Sequence, residues 1–429
     1  EKSRKALEEL KENLADLEDT EKEEKLKDAR REVARTIKEI ATVGVEVSVS
    51  DGKASPVIDT ESLVEFAKAV KAAADELNGV LESAGGSGAK VELTLELGME
   101  EADEVEVALP GTLLEQLADI GIDYVSIAVG GVAITFSPAD VPDDAVLRIT
   151  KREQDDSSPV PEGSAASAVY EIEFSSGGES VTAWASPVKL GLPVDNPAPF
   201  DPELLTLAKI DGGRLIILPG KYDPDTGSVW GWRDSFSAYV VVENKAEFHD
   251  LAPVHKWAGR HIQVAAAKGI IVGDGKGSFR PMDHVTRAEF VKMLMATFGI
   301  TGSGAAESFS DVSDGDWFRP YVAAAVQAGI AEGRTADRFA PNDPITRQEM
   351  AYMTGRALRL FLDAPEVANV NAVLGIFADA AEIDARYKSD VAITVNEKVM
   401  IGSDGRLNPL GYATRAEAAV VIKRLIDLM

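Results

Sequence analysis

The chain contains no cysteine, which excludes disulfide staples and thiolate metal sites alike. Histidine is scarce too. His249, His255, His261 and His284 are the whole set, and no two stand four apart as a helical metal pair requires. No apolar run reaches the roughly 18 residues a spanning helix needs, so membrane insertion is not expected. Gly-x-Ser-x-Gly, a phosphate loop and His-Glu-x-x-His are all absent, so no catalytic constellation emerges. Residues 1–20 are charged throughout, without an initiating methionine or a signal peptide, so a processed product or a piece of a longer protein is expected.

Positive charge is in short supply, but only in part of the chain. The formal net charge of the 429 residues is −28. From residue 248 onward 20 basic residues face 22 acidic ones, which leaves 24 against 50 in the first 247. An acidic body repels nucleic acid and anionic surfaces, whereas a near-neutral C-terminal part can approach them. At 45% hydrophobic and 27% charged the chain is globular, with material for several cores.

What is present is a repeat. Thr286-Arg287-Ala288-Glu289, Thr346-Arg347-Gln348-Glu349 and Thr414-Arg415-Ala416-Glu417 each follow a proline by five residues, at Pro281, Pro341 and Pro409. Each copy opens on Phe-x-Asp, at Phe248/Asp250, Phe309/Asp311 and Phe377/Asp379. The threonines lie 60 and 68 residues apart and the phenylalanines 61 and 68, so the two landmarks drift together, as they do in a repeated unit. Each copy reads as helix, glycine-broken loop, helix. Ile262, Ala265 and Ala266 give the first helix an apolar face, Gly269 stops it, and Gly273-Asp274-Gly275-Lys276-Gly277 is a loop. Thr-x-x-Glu is a capping box that starts the second helix, with Phe290, Met293 and Leu294 at helical spacing behind it.

Capping leaves the arginines unexplained. A cation in the first turn opposes the helix dipole, yet Arg287, Arg347 and Arg415 repeat the placement. Beside free helix N–H groups a guanidinium would receive a carboxylate or phosphate. The competing reading is an ion pair with an acidic residue of a neighbouring copy.

The repeat resembles the S-layer homology motif, the wall-anchoring module of bacterial surface proteins. Copy one carries the resemblance most fully, through Trp257, Gly269-Ile270-Ile271-Val272-Gly273 and Phe279-Arg280-Pro281; copy two keeps Trp317, Gly329-Ile330, Gly333 and Phe339-Ala340-Pro341. Copy three has Arg386-Tyr387 in place of tryptophan, Lys398 for the first glycine and Leu407 for phenylalanine, but retains Gly402 and Pro409. The resemblance implies an all-α pseudo-threefold unit whose inter-motif grooves hold an anionic cell-wall glycan, often a pyruvylated secondary wall polymer, with peptidoglycan or other S-layer subunits as further partners. It implies no cofactor and no metal. On it, Arg287, Arg347 and Arg415 meet acidic groups of the glycan, in unequal sites. Trp257 and Trp317 stack on sugar or serve the core, the core being the expected role for most of each ring. Asp250, Asp311 and Asp379 accept from sugar hydroxyls or fix turns; Gly273, Gly333 and Gly402 admit a ligand or only a turn. Asp311, Asp314 and Asp316 lack the glycine and terminal glutamate of a calcium loop and read as solvated.

The expected fold is multidomain α+β. Residues 1–84 form a helical segment: Leu7, Leu10, Leu14 and Leu17, then Leu26, Ala29, Val33, Ile37 and Ile40, suggest a hairpin or short coiled coil, and 62–82 a further helix. After Ala84-Gly85-Gly86-Ser87-Gly88, residues 85–245 form a β-rich, sandwich-like module, signalled by alternation in 91–95 and 105–109 and by Val132–Phe136, Leu215–Ile217, Val229-Trp230 and Phe236–Val241. The motifs occupy 246–306, 307–374 and 375–429. Noncatalytic anchoring of a surface protein is the leading reading. The rivals are the anchored tail of a polysaccharide-acting enzyme and a self-assembling lattice protein.

Overall fold

A computed structural model describes residues 2–13, 19–50, 52–98, 102–154, 158–181, 184, 186–300 and 309–429. The chain divides into two units. One comprises Glu1–Phe200, Leu207–Ile216 and Tyr222–Val242; the other comprises Asp201–Thr206, Ile217–Lys221 and Glu243–Met429. Among the described residues no helix is long and apolar enough to cross a membrane.

The first unit opens with helices α1 (Lys2–Asn13) and α2 (Asp19–Ile40), strands β1 (Thr42–Val45), β2 (Val47–Ser50) and β3 (Lys53–Pro56), and helix α3 (Thr60–Ser83). Helix α3 starts at the N-cap Asp59, whose side chain accepts from Ser62 N, and it packs against both α1 and α2. Leu7, Leu26, Val33 and Ile37 are buried in this cluster. Leu14 and Leu17 of the leucine stripe lie outside the described residues, as do the surroundings of Leu10.

Further on come β4 (Glu92–Leu97), β5 (Glu104–Leu109), α4 (Gly111–Ile120), β6 (Tyr124–Val129), β7 (Val132–Phe136), β8 (Ala145–Arg152), β9 (Val169–Ser176), β10 (Glu179–Ser180) and β11 (Val188–Pro193). The strands end with β12 (Leu205–Asp211), β13 (Arg214–Leu218), β14 (Lys221–Asp223), β15 (Ser228–Arg233) and β16 (Ala238–Glu243). One sheet runs β1-β4-β6-β7-β11-β15-β14, the other β13-β12-β16-β9-β8-β5-β3-β2 with β10 beside β9. Alternation sets the faces: Leu93, Leu95 and Leu97 in β4, and Val105, Val107 and Leu109 in β5, are all buried. Between β6 and β7 the two-residue turn Gly130-Gly131 has φ of 54° and 84°, the left-handed pair that a tight hairpin requires. The inner faces meet where Phe136 of one sheet stands edge-on to Phe174 of the other, centroids 5.9 Å apart.

The β-rich middle is therefore present, but residue 84 is not a break between units. Strand β1, before it, pairs in parallel with β4, after it, so the helices and the sheets share one core.

The second unit is helical. Each copy supplies a leading helix, α5 (Arg260–Ala267), α7 (Arg319–Gln327) or α10 (Lys388–Asn396), and a capped helix, α6 (Arg287–Thr297), α8 (Arg347–Leu362) or α11 (Arg415–Leu428); the short α9 (Val370–Leu374) precedes the third copy. Lys398 at φ 58° takes the left-handed place of Gly269 (70°) and Gly329 (68°), and Leu407 is as buried as Phe279 and Phe339, so the third copy keeps the shape despite its substitutions.

Candidate functional site

All three capping boxes form. Thr286, Thr346 and Thr414 accept from the backbone N–H three residues on, and Glu289, Glu349 and Glu417 accept in return from the threonine N–H. One carboxylate oxygen of each glutamate is thereby used within its own copy. The other faces the next arginine in the ring.

The segment preceding each capped helix ties the copies together through isolated β-bridges. Val285 N donates to Ala413 O, Ala413 N to Ile345 O and Ile345 N to Val285 O, each at 3.0 Å, a closed circuit around a pseudo-threefold axis. The helix N-termini follow the same rule. Arg287, Arg347 and Arg415 donate their backbone N–H to Asp343 O, Gly411 O and Asp283 O at 2.9–3.0 Å, and Ala288, Gln348 and Ala416 donate to Pro341 O, Pro409 O and Pro281 O. The free helix N–H groups expected beside the arginines are thus occupied by carbonyls of a neighbouring copy, because the ring must satisfy donors that it buries.

The guanidinium groups run the same circuit. Arg287 Nη1 stands 2.9 Å from Glu349 Oε1, Arg347 Nη1 pairs with Glu417 Oε1, and Arg415 Nη1 stands 3.0 Å from Glu289 Oε1. Their Nε atoms donate to Phe339 O, Leu407 O and Phe279 O at 3.0, 2.7 and 3.0 Å. Arg287 and Arg415 also lie over the rings of Phe339 and Phe279, 4.8 and 4.7 Å from the centroids. The third bond separates the sites. Arg287 Nη2 donates to Glu332 O and Arg415 Nη2 to Val272 O. Among the described residues Arg347 Nη2 has no such acceptor, and Leu407 offers its guanidinium no aromatic face. The ion pair between copies is therefore the arrangement the structure contains, and the three arginine sites are unequal.

Burial pushes the Arg287 and Arg415 pKa values down, against the pull of Glu349 and Glu289. Burial would raise Glu349, but the hydrogen bond from Arg334 and the charge of Arg287 outweigh it and hold the carboxyl below its usual range. Arg334 was not legible as a site residue; its one signal is its place directly after Gly333. It donates Nε to Glu349 Oε1 at 2.9 Å and Nη1 to Asp343 at 2.7 Å. With Arg287, Glu332, Gly333, Glu349, Tyr352 and Tyr387 it lines a small cleft between copies.

The aspartates are turn clamps. Asp250 accepts from Phe279 N and Arg280 N, Asp311 from Phe339 N and Ala340 N, and Asp379 from Leu407 N and Asn408 N, all within 2.7–2.9 Å. The second residue of each pair is left-handed: Arg280 at φ 56°, Ala340 at 61° and Asn408 at 54°. Burial opposes ionisation of all three carboxyls, yet the paired N–H donors hold them below their ordinary range. The glycines answer to packing within the copy. A Cβ on Gly273 would stand 2.5 Å from Ser278 O and 2.7 Å from the Phe248 ring; on Gly402 it would meet Arg406 O and Phe377 equally closely, and on Gly333 it would meet Thr335 O and Phe309.

The tryptophans depart from the core expectation. Trp257 is 46% and Trp317 58% exposed, while the next residues, Ala258 and Phe318, fill the core. The sequence marks an aromatic position but not which of two adjacent positions turns inward. Arg386, exposed like the tryptophans, occupies their place in copy three, and Tyr387 takes the core position.

These cross-linked repeats define a three-motif helical module with a small cleft where the motifs meet. The C-terminal region belongs to the S-layer homology domain family, with domains at residues 247–291, 308–351 and 376–419. Such domains are cell-surface anchoring modules that bind cell-wall polymers, and they mark an extracellular, wall-associated protein. The chain is similar to an amylopullulanase of Thermoanaerobacterium thermosulfurigenes, at 34% identity over 209 residues, 48% of this chain and 11% of that protein. It is also similar to the surface-layer 125 kDa protein of Lysinibacillus sphaericus (33% over 195 residues, 44% of this chain and 16% of that one) and to the S-layer protein sap of Bacillus anthracis (30% over 173 residues, 40% and 20%). The chain thus spans only about a tenth to a fifth of the length of these relatives.

Proposed function

We propose that the C-terminal unit anchors the chain noncovalently to the bacterial wall by binding an anionic, pyruvylated secondary cell-wall polysaccharide, and that the chain itself is noncatalytic. The carrying observation is Arg347. Its guanidinium is positioned by Leu407 O and Glu417, but among the described residues its Nη2 lacks the carbonyl partner that its two counterparts have. A donor held in place by these two partners suits a ligand carboxylate. Arg287 and Arg415, with every arm bonded inside the protein, chiefly maintain the ring, and a ligand reaches Arg287 at the edge of the cleft it lines. Exposed Trp257 and Trp317 offer flat faces for sugar rings at low entropic cost. Asp250, Asp311 and Asp379 and the three glycines shape the loops of the three copies.

The test is co-sedimentation with purified wall sacculi of the wild-type chain, of Arg347→Gln, and of Trp257→Ala/Trp317→Ala. Weaker pelleting of both variants, measured well below the melting temperature of each, is the expected result. Undiminished pelleting of both would remove these residues from the contact.

A second reading is favoured by the amylopullulanase match: the chain is the anchored part of a larger surface enzyme that acts on polysaccharide. A third, favoured by the surface-layer matches, is a lattice subunit. An active site encoded upstream would support the former, and ordered sheets seen by electron microscopy the latter.

A further inference from the structure

The three arginine sites differ in the charges that surround them. Arg415 has the ion pair Arg280–Asp283 nearby, closed at 3.5 Å, and Arg287 has Arg334–Asp343, closed at 2.7 Å. The two aspartates hold corresponding places, since Asp283 O accepts from Arg415 N and Asp343 O from Arg287 N. In the third copy that place is Gly411, whose carbonyl accepts from Arg347 N at 2.9 Å. The arginines are missing there too. Asn408 precedes Pro409 as Arg280 precedes Pro281, and Ser403 follows Gly402 as Arg334 follows Gly333. Arg347 therefore has Glu417 but no outer ion pair of this kind, and its side chain is 13% exposed against 3% for Arg287 and 9% for Arg415.

The loop that reaches Arg347 alternates. Leu407 O accepts from Arg347 Nε, Pro409 O from Gln348 N and Gly411 O from Arg347 N, so every second residue turns toward the start of α8. Asn408, Leu410 and Tyr412, between them, are exposed, Tyr412 by 52%. Tyr412 pairs with Thr346, the cap of α8, in an isolated β-bridge, and the His284 ring meets its ring edge-on at 5.5 Å. Such a contact covers at most one face, so the tyrosine keeps a face to solvent. The Asn408 carboxamide lies against Gly411, where a Cβ would stand 2.3 Å from it. Among the described residues neither this carboxamide nor the Tyr412 hydroxyl has a hydrogen-bond partner. One loop thus sets an aromatic face, a free carboxamide and a free hydroxyl beside the arginine that has a free arm.

We propose that the Arg347 site takes a carboxylate-bearing sugar of the wall glycan, with Tyr412 and Asn408 as its sugar contacts and Gly411 as the residue that keeps the site open to an anion. The ligand carboxylate meets Arg347 Nη2, the C–H face of the pyranose lies on Tyr412, and Asn408 exchanges hydrogen bonds with hydroxyls. This assigns contacts to the anchoring reading and rests on it. Glycine matters because an aspartate in its place would have no arginine to pair with, unlike Asp283 and Asp343. An unpaired carboxylate beside the ligand would repel it. At the other two sites a protein carboxylate and its arginine already stand in that place.

The experiment is calorimetric titration of the full chain with glycan released from sacculi, before and after its carboxyl groups are reduced to alcohols. Wild type should bind the acidic glycan and lose about tenfold or more in affinity for the reduced one. Gly411→Asp should lose about tenfold or more for the acidic glycan. That variant should fold: copies one and two carry aspartate at this place, the Gly411 backbone is not left-handed, and only the movable Asn408 side chain is crowded. Gly411→Asn, of equal size without the charge, should lose clearly less, and Tyr412→Ala should lose about threefold to tenfold. In 15N-labelled wild type the amide signals of Gly411 and Tyr412 should shift more on titration than those of Asp283, His284 and Asp343, a readout that needs no variant. Four results would each overturn the proposal while leaving the anchor in place: equal losses in Gly411→Asp and Gly411→Asn, undiminished affinity in Gly411→Asp or Tyr412→Ala, largest shifts at Asp283 or Asp343, or equal binding of the reduced glycan. If wild type bound no glycan, the anchoring reading would fall together with the proposal.

Discussion

Arg415, at the first turn of the last helix, reaches back 126 residues to place Nη1 3.0 Å from Oε1 of Glu289. This contact closes a ring that the contacts from Arg287 to Glu349 and from Arg347 to Glu417 leave open. A closed ring has no weak terminal copy, and it explains why arginine tolerates a position the helix dipole opposes: the glutamate of the next capping box offsets the misplaced charge.

Breaking the ring should cost stability in proportion to burial. Arg287 and Glu349 have side chains only 3% and 8% exposed; Arg287→Ala leaves Glu349 paired with Arg334 but strips Phe339 O and Glu332 O of their donor, and should destabilise the second unit by about 2–3 kcal/mol. Arg347, which among the described residues lacks the third hydrogen bond and the aromatic face, should cost clearly less. Thermal denaturation of the two variants side by side checks the order, and an equal loss would contradict it.

The left-handed residues make a paired prediction. Ala340→Gly should be neutral or stabilising by up to about 1 kcal/mol, because glycine adopts φ 61° without strain. Asp311→Ala should be destabilising, since it frees the N–H groups of Phe339 and Ala340. Chemical denaturation of both gives the signs directly.

Gly273→Ala tests the loop packing. Its new methyl would meet a backbone carbonyl and the Phe248 ring, neither of which is a flexible end, so a loss of about 1–3 kcal/mol is expected. Gly275, left-handed but with open space around it, should lose only the cost of its backbone conformation. Comparing the two melting temperatures separates crowding from backbone strain.

Lys268 sets a pH dependence. It is buried, with its ammonium on Leu205 O and Gly220 O, and burial pushes its pKa down from 10.5 to about 7. Between pH 7 and 10.5 the unfolded chain holds this proton and the folded one does not, so stability rises with pH across that window. Wild type should therefore gain on Lys268→Met as the pH is raised from 7 toward 10, measured as the difference between their unfolding free energies. A pH-independent difference would refute the assignment.

The repeat was legible because the same residues recur in step, and each recurrence has a local meaning: the threonine and glutamate cap a helix, and the glycine turns the chain. Partner choice was not legible. Nothing near Arg415 in sequence points to Glu289, and the carbonyls that occupy the helix N-termini come from other copies. In the first unit, Tyr170, Ile172 and Phe174 alternate with glutamates in the manner of Val105 and Val107, so β9 speaks in the same period-two code. Strand β11 does not, because Gly191 stands where alternation calls for a side chain, and the reason, the Trp230 ring, lies on another strand. Residue 84 looked like a boundary because Gly-Gly-Ser-Gly has a linker's composition. The parallel pairing of β1 with β4 shows that these residues only turn the chain back into its own sheet.

The most direct test of the anchoring account is co-sedimentation of the full chain with purified sacculi, before and after the secondary polymer is chemically stripped. The account predicts binding to intact sacculi that is lost on stripping. Binding that survives stripping would contradict the polymer as ligand and point to peptidoglycan, and failure to bind intact sacculi would contradict the anchor itself.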